Sequence, residues 1–260
     1  MGLTNPARAR LEAGEVSLGV GVKQGRTVDI ARIMQACGFD WLFLDFEHGA
    51  LSIDTAAQIS VAAIDAGIAP IVRIPIGGYS IASRMLDCGA LGIVLPHVES
   101  VEDARKLVRE LRFPPEGHRG VSGTFPQFGY RKIAVADAIP VLNQQTLLCA
   151  MLETPNALSL ADDIAAVDGI DVVMIGTNDL ATALGCPGQY DHPDVVSAYE
   201  TVAAACVRHN KWFGSGGIAD EKLAHRYIEM GALFFLAGHD IGMILAAGSQ
   251  KVAALRKSGA

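Results

Sequence analysis

Features that mark several other classes of protein are scarce or missing in this sequence. No CxxC pair occurs among its five cysteines, which favours free thiols in a reducing compartment. No apolar run reaches the ~18 residues of a membrane span, and the N-terminal stretch lacks the apolar centre of a secretory signal. We therefore expect a soluble, cytoplasmic protein. The cysteines are Cys37, Cys88, Cys149, Cys186 and Cys206.

Blocks of like charge are also missing. The chain carries 21 Lys and Arg against 28 Asp and Glu, and its net charge is −7. Nucleic-acid binding requires a clustered face of Lys and Arg, so we expect small-molecule partners and neither nucleic acid nor a membrane. A few local arginines are still enough to bind an anionic substrate.

Hydrophobic residues, by contrast, make up 50% of the 260 positions and fall into eight short apolar runs. Stretches with helical periodicity separate these runs, and such alternation indicates a parallel sheet that is buried on both faces. Eight units in about 250 residues predict a single (β/α)₈ barrel domain over residues 1–260. The predicted strands are VSLGVGV (16–22), WLFLD (41–45), APIVRI (69–74), LGIVLP (91–96), LLCAMLE (147–153), DVVMIG (171–176), KWFGSG (211–216) and ALFFLAG (232–238).

A doubly wound open sheet is the main alternative fold. Such a sheet usually carries a GxGxxG turn after its first strand, and VKQGRT at 22–27 lacks that pattern. A last helix is predicted from Ile241 to about Lys257. The connection at 113–130 is rich in proline and glycine, and we expect it to be functional or a subunit contact, since long irregular loops are uncommon in compact domains.

Polar side chains collect where the predicted strands end, which is where barrel active sites are built. The second strand runs directly into DFEHG, with Asp45, Glu47 and His48. His48 is the natural general base because imidazole titrates near neutrality, and Asp45 or Glu47 is expected to orient it. A capping or core role is the alternative for His48. His97 and His239 also follow strands and are weaker candidates.

Glu153 and Asp179 follow neighbouring strands. Adjacent strands lie ~4.8 Å apart, so the two carboxylates are expected to share one cation. Oxygen ligands with room for water suit Mg²⁺ or Mn²⁺ better than Zn²⁺. The alternative is that Glu153 caps a helix and that Asp179 is an acid in the first turn of the next one.

Arg73 lies inside an apolar strand, between Val72 and Ile74. It is expected to face the barrel mouth, because a charge in the helix layer is costly. A guanidinium there is suited to a carboxylate or a developing enolate oxygen. The alternative is a structural ion pair with Asp45 or Glu47.

Several interpretations remain beside these. Asp87 closes the third predicted helix, nearer the opposite end of its own barrel, so it is either structural or reaches a neighbouring subunit's site. The glycines of GSGGI (214–218) would suit the phosphate of a sugar-phosphate isomerase or lyase. Lys23 ends the first strand and would serve a class I, Schiff-base aldolase. A CoA-ester lyase and a non-catalytic assembly scaffold are the remaining alternatives.

The ordered motifs DFEHG, VRIP, LDCGALGIVLPHVES, FPPEGHRGVSG, MLET and GIDVVMIGTNDLA resemble those of the hydroxy-ketoacid aldolases, often labelled HpcH/HpaI. The resemblance implies a class II aldolase that needs Mg²⁺ or Mn²⁺, with Co²⁺ as a further option. It also implies that 4-hydroxy-2-oxo acids are cleaved to pyruvate, or a related 2-oxo acid, and an aldehyde. The implied assembly is a hexamer, a dimer of trimers, in which the C-terminal helix of each barrel is exchanged between subunits.

The same resemblance implies a role for individual residues. Glu153 and Asp179 correspond to the metal carboxylates. Arg73 corresponds to the arginine that binds pyruvate and stabilises its enolate. His48 corresponds to the histidine of the acid–base step, and Asp87 to an aspartate linked to that histidine.

The backbone from Gly176 to Asp179 corresponds to the segment that receives the pyruvate carboxylate. Three places depart from the family pattern. Met151 stands where a glutamine is common, and Thr177 and Asn178 replace proline and alanine. His239 lies in AGHD, where the family has a more apolar stretch.

Overall fold

The computed structural model describes residues 2–257, so Met1 and positions 258–260 of the predicted domain lie outside the described residues. Eight parallel strands close into a barrel in chain order, and β8 pairs with β1. The predicted barrel is therefore confirmed, and the open sheet is not. The strands are β1 (Ser17–Val22), β2 (Trp41–Asp45), β3 (Ala69–Arg73), β4 (Gly92–Leu95), β5 (Leu147–Leu152), β6 (Val172–Gly176), β7 (Trp212–Gly216) and β8 (Ala232–His239).

Helices surround this barrel, and the first of them has no counterpart among the predicted elements. The helices are α1 (Pro6–Glu12), α2 (Asp29–Ala36), α3 (Ile53–Ala66), α4 (Tyr79–Asp87), α5 (Val101–Leu111), α6 (Val135–Gln145), α7 (Pro155–Ser159), α8 (Ala161–Ala165), α9 (Thr177–Ala183), α10 (Pro193–Arg208), α11 (Glu221–Glu229) and α12 (Asp240–Lys257). The loop at 113–130 contains only a short 3₁₀ helix at Pro126–Phe128.

Helix α1 lies at the N-terminal end of the barrel, where Asn5 attaches it. The Asn5 side-chain oxygen accepts the N–H groups of Ala7 and Arg8 and so caps the helix. Its side-chain nitrogen donates to the carbonyls of Leu91 and Gln145, at the starts of two strands. The helix is short and its pattern weak, so a tertiary anchor rather than sequence periodicity accounts for it.

The strands bury side chains on both faces, as the continuous apolar runs predict. Inside the barrel, Trp41 stacks on Phe234 with ring centroids 4.1 Å apart. A Cβ at Gly19 would lie 2.2 Å from the Trp41 ring, so only glycine leaves room for this indole. Side chains that point outward pack against the helices in a second, larger core. The inward-pointing side chains fill the barrel below the mouth.

Two strand pairings determine which residues are neighbours at the C-terminal end. Asp45 and Arg73 are register partners at the ends of β2 and β3. Leu152 pairs with Ile175, so the residues that follow them, Glu153 and Gly176, emerge side by side.

The helices and the cysteines can be compared with the expectations of no membrane span and of free thiols. Within residues 2–257, none of the helices combines the length and the apolar character that crossing a bilayer requires. All five cysteines are free thiols.

Candidate active site

At the C-terminal ends of the strands the barrel opens into a cavity of about 100 Å³. The residues predicted to bind metal or substrate or to act in catalysis line this cavity, with the exception of Asp87. The predicted orienting residues Asp45 and Glu47, and the weaker candidate His97, lie beside it and contact its lining. Lys23 and His239 line it as well. The predicted residues found there are His48, Arg73, Glu153, Gly176, Thr177, Asn178 and Asp179.

The DFEHG turn is organised by the carboxylate of Asp45, which is completely buried. Its Oδ1 accepts the backbone N–H groups of Glu47 at 3.0 Å and His48 at 3.2 Å. Both oxygens also accept from the Arg73 guanidinium, at 2.9 and 2.6 Å. Burial acts to raise the pKa of Asp45, but Arg73 and the two backbone N–H donors together outweigh it and hold the pKa below its ordinary value. Asp45 thus orients the backbone of His48 and not its imidazole.

Arg73 is buried and faces the mouth, as its position in an apolar strand predicts. Its Nε and Nη2 donate to Asp45, and its Nη1 lies 3.2 Å from Glu47 Oε2. Burial acts to lower the pKa of Arg73, but the hydrogen bonds and charge of Asp45, together with the charges of Glu47 and Glu153, outweigh it and raise the pKa. A guanidinium has about five N–H donors, so these three contacts leave two for a ligand. The structural ion pair and a ligand-binding role are therefore compatible.

His48 stands at the rim of the cavity, with 54% of its side chain exposed. Its Nε2 lies 3.7 Å from Glu47 Oε2, which is too far for a hydrogen bond but close enough for electrostatic attraction. Of the two expected orienting residues, Glu47 is the one near the imidazole. This exposure suits a residue that transfers protons to and from substrate or water.

His97 contacts two carboxylates of the site, although its sequence position made it only a weaker candidate. Its backbone N–H donates to Glu153 Oε2 at 2.8 Å, and its Nδ1 lies 3.3 Å from the same oxygen. Its Nε2 lies 3.3 Å from Glu47 Oε1, so the imidazole bridges two carboxylates. The backbone of His97 has a φ of 49°, a left-handed conformation that residues other than glycine rarely adopt and that often occurs at functional sites.

Glu153 is the most unusual ionisable group of the site because it is only 1% exposed. No lysine or arginine of residues 2–256 forms an ion pair with it, and His97 is the one ionisable partner within ion-pair distance there. Burial raises the pKa of Glu153 to about 7, helped by the charges of Asp179 and Glu47 and opposed by His97. A Cβ at Gly176 would lie 2.5 Å from Glu153 Oε1. The glycine therefore makes room for this carboxylate.

Asp179 lies on the same cavity, is exposed, and has no hydrogen bond or ion pair with any described residue. In residues 2–257 no group of three or more His, Cys, Asp or Glu is arranged to hold a metal ion. A pair of carboxylates nevertheless suits Mg²⁺, which usually keeps several waters and takes only one or two protein carboxylates. The buried Glu153 and the repulsion from Asp179 therefore fit a divalent cation, which would stabilise both charges.

The segment from Gly176 to Asp179 forms the end of β6 and the first turn of α9. The hydroxyl of Thr177 donates to the Gly216 carbonyl at 2.7 Å and lies 2.6 Å from the Tyr199 hydroxyl. Tyr199 in turn bonds Ser215 at 2.6 Å. This buried network occupies the Thr177 hydroxyl, which is not available to a substrate. Asn178 is exposed, and its Oδ1 accepts from Tyr190 at 2.7 Å.

Asp87 is the predicted residue that the structure does not bring to the cavity. It ends α4 and forms an ion pair with Arg119 at 2.5 Å. Around it lie residues of the 113–130 loop, including Ser122, Thr124 and Tyr130. Its own barrel therefore offers Asp87 no route to His48, because the C-terminal ends of the helices and of the strands lie at opposite ends of such a barrel.

Comparison with known proteins identifies the fold and family to which this geometry belongs. Residues 23–247 match the model of the HpcH/HpaI aldolase/citrate lyase family. The chain belongs to this family. It is thus an enzyme of the lyase class, and both the resemblance and the enzyme prediction are confirmed.

Relatives match over almost their whole lengths. The chain is 35% identical to the 5-keto-4-deoxy-D-glucarate aldolase of Shigella boydii, over 96% of this chain and 95% of the relative. It is 32% identical to the 4-hydroxy-4-methyl-2-oxoglutarate aldolase cghB of Chaetomium globosum, over 97% and 96%. The crystal structure of an HpcH/HpaI aldolase from Desulfitobacterium hafniense superposes with a TM-score of 0.91 at 31% identity, covering 96% of both chains.

Proposed function

We propose that this chain is a class II aldolase that reversibly cleaves 4-hydroxy-2-oxo acids to an aldehyde and pyruvate, or a related 2-oxo acid. The observation that carries this proposal is the pair Glu153 and Asp179 on a small cavity, close to an arginine that keeps two N–H donors. Both relatives named above are aldolases, one of a keto-deoxyglucarate and one of a hydroxy-methyl-oxoglutarate.

Glu153 and Asp179 would hold the cation, which we propose to be Mg²⁺ or Mn²⁺, with Co²⁺ as a further option. When bound, a divalent cation supplies Lewis-acid polarisation of a carbonyl and so makes the neighbouring C–H protons more acidic. His97 supports this role from the protein side, because its backbone N–H fixes one oxygen of Glu153. Orientation of that kind commonly governs metal affinity.

Arg73 and His48 perform the remaining chemistry. The two unoccupied N–H donors of Arg73 stabilise the negative charge that develops on the enolate oxygen of the 2-oxo acid. His48, directly or through water, removes the proton from the C4 hydroxyl in cleavage, and the C3–C4 bond breaks to give the aldehyde and the enolate. The enolate carbon then takes that proton back, from His48 or through water, and becomes the methyl group of pyruvate. Addition runs through the same steps in reverse. The substrate carboxylate is received by the backbone N–H groups between Gly176 and Asp179, at the first turn of α9.

Subunit contacts are also part of the proposal. Helix α12 exposes apolar side chains, which fits its exchange between barrels in a hexamer, a dimer of trimers. Asp87 beside the 113–130 loop would then reach the His48 of a neighbouring subunit. Light scattering is expected to give the mass of a hexamer, and a monomer would contradict this part. The exposed side chains are Ile241, Ile244, Leu245, Val252 and Leu255, at 39% to 69%.

The protein environment proposed is cytoplasmic, which the five free cysteines support. We further propose that residues 1–260 act as one barrel domain. A phosphate ligand at GSGGI is disfavoured, because the Ser215 hydroxyl is buried and bonded to Tyr199.

A class I aldolase is the second candidate, since Lys23 lines the cavity. Borohydride reduction in the presence of pyruvate distinguishes the two: a three-carbon adduct on Lys23 supports the Schiff base, and no adduct supports the metal.

The main test is metal removal. Pyruvate release from a 4-hydroxy-2-oxo acid should fall to background after exhaustive EDTA treatment and return with Mg²⁺ or Mn²⁺. Calcium-loaded and untreated samples control for loss of folded protein. Full activity after complete chelation would remove the metal from the mechanism.

A further inference from the structure

Opposite the carboxylate pair, the cavity has a second polar lobe made of Lys23 and His239. Neither residue has a part in the metal-dependent chemistry proposed above. Lys23 follows β1, and His239 ends β8, so the lobe lies where the last strand closes on the first.

A β-bulge directs His239 inward. Phe234 and Leu236 of β8 face the barrel interior, so regular alternation would give the next inward position to Gly238. Gly19 pairs with Leu236, however, and Gly21 pairs with His239, so β8 has one extra residue. Gly238 absorbs the irregularity with a φ of 139°. Bulges beside active sites commonly re-aim a side chain in this way.

Gly21 provides the space that the imidazole occupies. A Cβ at position 21 would lie 1.9 Å from His239 Nδ1, so any larger residue would displace the ring. Nδ1 is enclosed there and has no hydrogen-bond partner. Burial, followed by the charge of Lys23, lowers the pKa of His239, which favours the neutral ring near pH 7. With Nδ1 enclosed against the strand, Nε2 is the nitrogen that can donate to a ligand.

Asp240 holds the backbone of Lys23 beside His239. Its two oxygens accept the N–H groups of Lys23 (3.0 Å), Gln24 (2.8 Å) and Gly25 (2.7 Å), and that of Ile241 at 2.7 Å. Asp240 is 1% exposed. Its charge is thus satisfied by backbone donors, and the loop that carries Lys23 is fixed.

The ammonium of Lys23 remains without a counter-ion. No carboxylate of residues 2–257 lies within ion-pair distance of it, whereas the other cation of the cavity, Arg73, is paired with Asp45 and Glu47. A lysine and a neutral imidazole provide two hydrogen-bond donors and one positive charge. A carboxylate has the complementary charge and acceptors.

We propose that Lys23 and His239 determine substrate specificity by binding a second carboxylate, at the end of the 4-hydroxy-2-oxo acid that becomes the aldehyde. This inference rests on the proposed aldolase function, because it assumes that the 2-oxo end of the substrate lies near Glu153 and Arg73. The preferred substrates are accordingly dicarboxylates, and the aldehyde product carries a carboxylate of its own.

The test compares two substrates that differ only at this end. 4-Hydroxy-2-oxoglutarate ends in a carboxylate and 4-hydroxy-2-oxopentanoate ends in a methyl group. The native enzyme should have the higher kcat/KM for the dicarboxylate. In Lys23→Met the ratio of the two kcat/KM values should fall about 10- to 100-fold, the usual effect of losing a charged hydrogen bond. Equal ratios in the native enzyme and in Lys23→Met would overturn the proposal.

Two more variants sharpen the result. Gly21→Ala keeps both polar side chains but displaces the His239 ring, so it should lower the ratio in the same direction. Lys222→Met removes an exposed lysine from α11 and should leave the ratio unchanged. If Lys23→Met does not fold, Gly21→Ala and the native preference decide, and a native enzyme that prefers the methyl-ended substrate overturns the proposal.

One measurement separates this inference from the function on which it rests. Exchange of the methyl protons of pyruvate with D₂O requires enolisation but no second carboxylate. If exchange occurs but the enzyme does not prefer the dicarboxylate, the carboxylate subsite is overturned and the aldolase function stands. If no exchange occurs, the aldolase function and the subsite are both overturned. A borohydride-trapped pyruvate adduct on Lys23 would also overturn it, since that lysine would then be the nucleophile.

Discussion

The two ends of the barrel differ in how their charged groups are paired. At the N-terminal end, Asp171 accepts from Arg8 at 3.1 Å, from Arg112 at 2.5 Å and from the Leu148 N–H at 2.8 Å. Arg112 is 3% exposed and also donates to the carbonyls of Asn143, Thr146 and Gly169. The Asp171 carboxylate and the two Nη groups of Arg112 are paired with other groups of the chain, and these contacts attach helices and strand ends to one another. The Nε of Arg112 is the exception, since it is buried without a hydrogen bond.

At the C-terminal end, several ionisable groups lack either a Lys or Arg counter-ion or a hydrogen-bond partner among the described residues. Glu153 is buried with a pKa raised to about 7, and His239 Nδ1 has no hydrogen bond. Lys23 and Asp179 have no ion pair with a described residue. Groups left in this state cost stability, and they are retained where a ligand completes them. The contrast teaches that the N-terminal end serves the fold and the C-terminal end serves binding and catalysis.

Glu153→Gln should have the largest effect of the changes that test this contrast. Loss of a cation ligand and of its charge is expected to lower kcat/KM about 10²- to 10³-fold. The metal-free variant should be as stable as the native chain or more so, because a buried charge without a counter-ion is removed. Steady-state kinetics and urea denaturation measure the two effects. Loss of stability together with activity would mean that Glu153 is structural.

Asp171→Ala is the matched change at the opposite end. It leaves the buried guanidinium of Arg112 without its carboxylate, and removal of one partner of such a pair costs about 3 kcal/mol of unfolding free energy. The folded fraction should retain its kcat/KM, because Asp171 is remote from the cavity. Urea denaturation and kinetics below the melting range check both points. A large drop in kcat/KM of fully folded protein would contradict the division between the two ends.

The pH dependence of stability should reveal the buried Glu153. A carboxyl whose pKa is higher in the folded than in the unfolded chain binds its proton more tightly when folded. From pH 4.5, its ordinary value, to about 7, unfolding therefore releases a proton, and the stability of the metal-free protein falls as pH rises. The loss is expected to be about 1–3 kcal/mol.

Glu153→Gln serves as the control for that titration, because it retains every other ionisable group. Its stability should depend less steeply on pH over the same interval, and saturating Mg²⁺ or Mn²⁺ should flatten the native curve. Identical slopes for the native protein and the variant would show that Glu153 does not titrate in this window.

Thr177→Val should have the smallest effect. It removes the hydrogen bonds to Tyr199 and to the Gly216 carbonyl while keeping the shape of the side chain. We expect about 1 kcal/mol less stability and little change in KM, since the hydroxyl does not face the substrate. Thermal denaturation and kinetics test this. A large rise in KM would mean that the hydroxyl contacts the substrate.

Much of this organisation follows from sequence pattern. Apolar runs predict all eight strands to within one or two residues, because a strand buried on both faces has no alternative to continuous hydrophobicity. The same eight predicted strands place Arg73, Glu153 and Asp179 at the mouth, since the C-terminal ends of parallel strands lie at one end of the barrel.

Other features depend on geometry that no linear pattern expresses. The role of His97 depends on a left-handed backbone at a single residue. The inward position of His239 requires a bulge in β8 and a glycine on the adjacent strand, at Gly21. The position of Asp87 at the end of its helix leaves a structural and an intersubunit role open, and only the resemblance links it to the histidine. Within the described residues of one chain, its ion-pair partner is Arg119 and not a residue of the cavity.

Exchange of the pyruvate methyl protons with D₂O, followed by NMR, tests the central claim most directly, because it requires no knowledge of the aldehyde. With Mg²⁺ or Mn²⁺ the native protein should exchange these protons, and after chelation, or in Glu153→Gln, exchange should fall to the buffer rate. Exchange that continues at full rate in the chelated protein and in Glu153→Gln would contradict the account.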